Sequence, residues 1–108
     1  MKDYFKKEFD CFIHELADVE TNLRNIGNNT KIWRWTHISK GVIIGKDCVI
    51  GQGVYIGPNV TIGDNVHIQN NVFIPELVTI EDNVFIGPSV VMLNDRYPPV
   101  GKIGRAHV

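Results

Sequence analysis

The sequence predicts an all-β chain wound as a parallel β-helix, and three rows of residues carry that expectation. An isoleucine returns at every sixth position, as Ile26, Ile32, Ile38, Ile44, Ile50, Ile56, Ile62, Ile68, Ile74, Ile80 and Ile86. Four residues after each stands a second small or β-branched side chain: Thr30, Thr36, Val42, Cys48, Val54, Val60, Val66, Val72, Val78, Val84 and Val90. Between the two rows, the fourth position of each unit reads Asn29, Trp35, Gly41, Asp47, Gly53, Asn59, Asn65, Asn71, Leu77, Asn83 and Ser89. Gly, Asn and Asp tolerate the left-handed backbone of a tight corner, so this row is mostly turn chemistry.

A six-residue period matches neither the 3.6 of a helix nor a long run of strict alternation. Short strands separated by turns satisfy it. Three units then close one coil of 18 residues, with both apolar rows pointing inward and coil stacking on coil. Glycine follows the first row at positions 27, 45, 51, 57, 63 and 87. Ahead of the repeats the pattern has two readings. Phe5, Phe9, Phe12, Ile13, Leu16 and Leu23 fit one face of an amphipathic helix, whereas Ile13, Ala17, Val19 and Leu23 fit two further units set off by one inserted residue, Asn25. After the last unit, Asn94 to Val100 breaks the period with two prolines, as a loop leaving a coil would.

With 108 residues, 44% hydrophobic, and a net charge of -1, the chain reads as one domain too weakly basic for nucleic-acid binding. No apolar run is long enough for a membrane span and no cleavable leader pattern opens the chain, which points to a cytoplasmic location. Cys11 and Cys48 read as two reduced thiols, Cys48 as a small inward-facing hydrophobe.

The run Ile-Gly-x-x-Val-x, Lys-Ile-Trp-x-x-Thr-His-Ile at 31 to 38, Ile-Gln-Asn-Asn-Val at 68 to 72 and Asn-Asp-Arg-Tyr-Pro at 94 to 98 resemble the hexapeptide-repeat acyltransferases. Among these, the chain is most similar to N-acetyltransferases acting on nucleotide-linked 3-amino sugars. The resemblance implies a left-handed parallel β-helix, a homotrimer, and acetyl-coenzyme A bound between subunits as co-substrate. It also favours the two-unit reading of the N-terminus, with coils beginning near Phe12. The expected organisation is a short N-terminal cap at 1–11, open to a helical reading, a β-helix at 12–93, a loop at 94–102 and a tail at 103–108. Relatives continue for several more coils, and Ile-Gly-Arg-Ala-His-Val at 103 to 108 also matches the translation of a short-read sequencing adapter. The expectation is therefore of a fragment with a non-native tail, inactive by itself.

Residues 18 apart stack, so outward side chains can be sorted. The units beginning at Ile32, Ile50, Ile68 and Ile86 place Trp33, Arg34, Trp35, His37, Gln52, Tyr55, Gln69, Asn70 and Phe73 on what the spacing treats as one face, while the rest is mainly Lys, Asp, Glu, Asn and Thr. An aromatic, hydrogen-bonding face on a charged prism suits a subunit interface with a polar ligand pocket. The catalytic candidates are Asn70 and His37. Asn70 sits at a third position with no local backbone reason for an amide, and could serve a developing oxyanion. His37 could act as a base or as a packed interface histidine. Arg34, Gln52, Tyr55, Gln69, Asn71 and Asn94 are the substrate-binding candidates, although Asn71, at a fourth position, already has a turn explanation.

Acetyl transfer to an amine requires a neutral amine aligned on a thioester carbonyl and donors for the oxyanion. The departing thiolate can take the proton, so the absence of a His–Asp pair from the 18-residue arithmetic does not count against it. A sugar hydroxyl acceptor needs a general base. A zinc hydratase of the γ-carbonic anhydrase type needs three His ligands, and His37 and His67 fall on different faces, so no metal is expected. A purely structural solenoid should show a regular outward row of one residue type, and Thr61 and Thr79 make only a short pair.

Overall fold

The computed structural model describes residues 4–6 and 10–93. In chain order the strands are β1 (Tyr4–Lys6), β2 (Phe12–His14), β3 (Asp18–Val19), β4 (Lys31–Ile32), β5 (His37–Ile38), β6 (Ile43–Ile44), β7 (Val49–Ile50), β8 (Tyr55–Ile56), β9 (Thr61–Ile62), β10 (His67–Ile68), β11 (Phe73–Ile74), β12 (Thr79–Ile80) and β13 (Phe85–Ile86). Among the described residues a single 3-10 turn, Leu23–Asn25, interrupts them. Each strand is short because only two residues separate one corner from the next. From β4 to β13 the second residue is an inward Ile and the first points out, the period-two alternation of a pleated strand.

Three sheets form the sides of the prism. Sheet A runs β1-β2-β4-β7-β10-β13, sheet B runs β11-β8-β5-β3, and sheet C runs β12-β9-β6. Every pairing between coils is parallel, and from β4 onward the register advances by 18 residues, as in Ile32↔Ile50, Ile38↔Ile56 and Ile44↔Ile62. This is the left-handed parallel β-helix of hexapeptide repeats, about four coils tall. The core is one column in which Ile32 to Ile86 are essentially inaccessible, with Val42, Val54, Val60, Val66, Val72 and Val78 filling the corners.

At the N-terminus the register changes. Ile13 pairs with Ile32 and Val19 with Ile38, an offset of 19, whereas Ile26 already bridges Ile44 at 18. The extra residue is absorbed in the 3-10 turn that ends at Asn25, whose N-cap Asn22 accepts the Arg24 amide. The helical reading of the segment from Phe5 is corrected in its described part: β1 is extended and pairs antiparallel with β2, Phe5 opposite Ile13. An edge strand closing the first coil spares its backbone groups from standing unpaired.

All eleven residues of the fourth-position row have positive φ, from Asn29 at 62° through Gly53 at 68° to Ser89 at 62°. Trp35 (63°) and Leu77 (68°) adopt it too, although neither belongs to the residue types that do so at low cost. Glycine after the first row has a different cause. A β-carbon on Gly27 would stand 2.5 Å from the backbone carbon of Gly45, and one on Gly57 would stand 2.7 Å from the Glu76 nitrogen. The coils approach too closely there for any side chain.

The inward fifth positions also hold polar groups that work for the backbone. Thr30 Oγ1 donates to the Gly45 carbonyl at 2.7 Å and accepts the Cys48 amide at 3.1 Å, and Thr36 does the same with Gly51 and Val54. Cys48 repeats the device in sulfur, donating to the Gly63 carbonyl at 3.1 Å and accepting from Val66 N–H at 3.5 Å. Burial pushes its thiol above the ordinary range, so it is a structural group and not a thiolate nucleophile.

Candidate functional site

The side chains grouped by sequence as one face divide between two places. Residues 33–35, 51–53, 69–71 and 87–89 form the corner between sheets A and B, while His37, Tyr55 and Phe73 are outward residues of sheet B itself. The hexad runs from the end of one strand around a corner to the start of the next, so a unit is never one face.

At the corner, Asn70 Oδ1 accepts the Gln52 backbone amide at 3.0 Å. A β-carbon on Gly51 would stand 2.5 Å from that same oxygen. The expectation that Asn70 has no local backbone role is therefore corrected: a third-position carbonyl or carboxylate oxygen straps the coil below. The carboxamide nitrogen of Asn70, on an exposed residue, remains the part with chemistry to offer a ligand. Trp33, Gly51, Gln52, Gln69 and Asn70 line a groove of about 340 Å³. The fold thus brings together three of the candidates, Gln52, Gln69 and Asn70, between an indole and the backbone. Arg34 is half-buried, with its guanidinium carbon 5.5 Å from the Trp35 ring centroid. Asn71 takes its left-handed turn at φ 59°, as its row requires. Asn94 lies outside the described residues.

Sheet B carries a second constellation. His37 stacks on Tyr55 (centroids 5.4 Å, planes 7° apart) and Tyr55 on Phe73 (5.1 Å, 9°), and Val91 continues the column as an isolated bridge partner of Phe73. On the other side, His37 Nδ1 lies 2.9 Å from Asp18 Oδ2, and its Nε2 is 3.7 Å from Glu20 Oε1. A His–Asp pair therefore exists, contrary to the 18-residue arithmetic. Asp18 precedes His37 by 19 because the 3-10 turn holds an extra residue, so the signal that could have found the pair was the insertion at Asn25 itself. With Nδ1–H donated to the carboxylate, Nε2 becomes the nitrogen able to take a proton. Asp18, Glu20 and His37 also offer three metal-type ligand atoms within 4.8 Å of one another. His37 does not line the corner groove.

The other described histidines stand apart. His67 is exposed in the outward column of sheet A, between Val49 and Phe85. His14, without an assigned partner in the sequence, is buried in β2, where its Nδ1 accepts the Leu16 amide at 3.0 Å.

Comparison with known proteins agrees with this architecture. Residues 25–58 and 48–76 match the family model of the bacterial transferase hexapeptide (six repeats). The chain is a hexapeptide-repeat β-helix, and residues 25 to 76 carry that family's repeats. Over 40 residues it is 50% identical to dTDP-3-amino-3,6-dideoxy-alpha-D-galactopyranose 3-N-acetyltransferase of Aneurinibacillus thermoaerophilus. The matched stretch is 37% of this chain and 20% of that relative, so the chain covers about a fifth of the relative's length.

Proposed function

We propose that the whole protein is an acyltransferase that moves acetyl from acetyl-coenzyme A to the 3-amino group of a dTDP- or UDP-linked amino sugar. The observation that carries this reading is the 50% identity over 40 residues to an enzyme named for that reaction on a dTDP-linked sugar. The corner groove supports it, because carboxamides at Gln52, Gln69 and Asn70 beside Trp33 suit a polar substrate with a ring to cover.

In this reading the neutral sugar amine attacks the thioester carbonyl, and the Asn70 carboxamide nitrogen donates to the oxygen as it gains charge. As the carbon–sulfur bond breaks, the coenzyme leaves as thiolate and takes up the amine proton, giving an amide and a free thiol. Coenzyme and sugar meet at the junction of neighbouring subunits in a homotrimer, for which the exposed column of Tyr55, Phe73 and Val91 on sheet B is the apolar contact surface. The enzyme acts in the cytoplasm and needs no metal.

A specific observation favours a second reading, sugar O-acetylation. A hydroxyl acceptor needs a general base, and His37 is oriented by Asp18 at 2.9 Å. Assay of the whole protein with acetyl-coenzyme A and paired substrates separates the two. The amine reading expects thiol release and an amide product with a 3-amino nucleotide sugar, and none with its 3-hydroxy counterpart. Acetylation of the hydroxyl sugar alone would overturn it.

A further inference from the structure

Trp35 is the one aromatic residue in the fourth-position row, and it takes a left-handed backbone at φ 63°. Asn or Gly would turn this corner with less strain, as Gly53 and Asn71 do on the next two coils. Burial does not compensate, because Trp35 is 62% exposed. Strain held at an exposed aromatic residue points to a use for its ring.

The surroundings say which use. One side of the indole carries the Arg34 guanidinium, 5.5 Å from the ring centroid. One coil further along the same column stands Gly53, which has no side chain, and then Asn71, whose Oδ1 leans back to where a Gly53 β-carbon would be. Gln52 and Asn70 flank the column in the adjoining groove. The result is a flat apolar ring, a cation beside it, and carboxamides able both to donate and to accept at the edge of whatever covers the ring.

We propose that Trp35 is a stacking platform for a nucleobase, whose edge is read by the neighbouring carboxamides. Every base offers a π-face, and stacking on an aromatic side chain is tolerant of base identity. Under the function proposed above, on which this inference rests for its ligands, two nucleobases are available: the pyrimidine of the nucleotide-linked sugar and the adenine of coenzyme A.

Titration calorimetry on the whole protein, with dTDP, UDP and coenzyme A as separate probes, tests it. Trp35→Asn should weaken binding of the stacked nucleotide roughly tenfold or more while leaving Tm unchanged or raised, since Asn fits the left-handed corner. Trp35→Tyr keeps a ring and should recover most of the affinity. Weakening confined to dTDP and UDP places the pyrimidine on Trp35, and weakening confined to coenzyme A places the adenine there. Unchanged affinity for all three overturns the proposal, as does an affinity loss that Tyr does not relieve. A fall in Tm and in molecular mass with nucleotide affinity intact would make Trp35 a subunit contact instead. Binding is read without turnover, so an inactive protein that still binds through Trp35 would sink only the transferase reading, and an active one indifferent to Trp35 only the platform.

Discussion

At the corner between sheets C and A, Asp64 accepts the Lys46 amide at 3.0 Å and Asp82 accepts the Asp64 amide at 2.7 Å. At the corner between sheets A and B, Asn70 accepts the Gln52 amide at 3.0 Å in the same register. Both corners turn through left-handed residues, Asp47, Asn65 and Asn83 at one and Trp35, Gly53 and Asn71 at the other. The first is finished with side-chain ladders, Asn29 to Asp47 at 2.9 Å and Asn65 to Asn83 at 2.8 Å. The second carries indoles, a guanidinium and carboxamides around a groove. The backbone requirement is therefore the same at both, and it is met by an oxygen in one position and a left-handed turn in the next. What differs is only the part of each side chain that the backbone does not use, and that is where ligand chemistry can reside.

Substitutions that break the shared requirement should have the largest effects. Gly27→Ala would drive a β-carbon into the Gly45 backbone, an overpacking that no side-chain rotation relieves, and should cost about 3 kcal/mol in denaturant unfolding. Among the described residues nothing stands within 4 Å of a β-carbon on Gly87, so in this chain Gly87 should accept Ala with no loss, or with a gain of about 0.5 kcal/mol from the unfolded chain. Equal effects at the two positions would contradict the close-approach explanation.

Asp64→Ala removes one strap from the charged corner and should cost about 1 kcal/mol, the usual net worth of such a bond. Asp64→Asn keeps an oxygen in place and should lose less than half of that. If both lose alike, the carboxylate charge matters more than the strap.

Cys48 sharpens the comparison inside the prism. It sits one coil above Thr30, where a hydroxyl makes the same pair of bonds. Because its folded thiol ionises less readily than an unfolded one, stability from Cys48 is present below the thiol's ordinary range near 9.0 and is lost as pH rises through and beyond it. Cys48→Thr should be nearly neutral at pH 7 and should flatten that alkaline decline in thermal unfolding. An unchanged decline would assign it to other groups.

The fold was legible because its cause is periodic: each Ile every sixth residue is one inward position, and each corner announces itself by a turn residue. Trp35 and Leu77 turned the same way despite their identity, since the hydrogen-bonded coils on which they stack dictate φ where local preference does not. The candidate site was legible only in part. Gln52, Gln69 and Asn70 do line one groove, but the strap made by Asn70 was hidden, because its partner is a backbone amide and its space is a glycine 19 residues earlier. The Asp18–His37 pair was hidden by a single inserted residue, which shifts every earlier column by one. Arithmetic of stacking holds only between insertions.

Asn70 serves the backbone with its oxygen and, under the proposed function, the reaction with its nitrogen, and Asn70→Asp separates the two. The aspartate keeps an acceptor for the Gln52 amide, removes the donor, and places negative charge where an oxyanion must form. In the whole protein it should leave Tm within about 1 °C of wild type, on the scale of a few tenths of a kcal/mol, while kcat falls by about 10² or more, the loss expected for one oxyanion donor. Near-normal turnover by a folded Asn70→Asp protein would contradict the assignment and leave Asn70 as a strap alone.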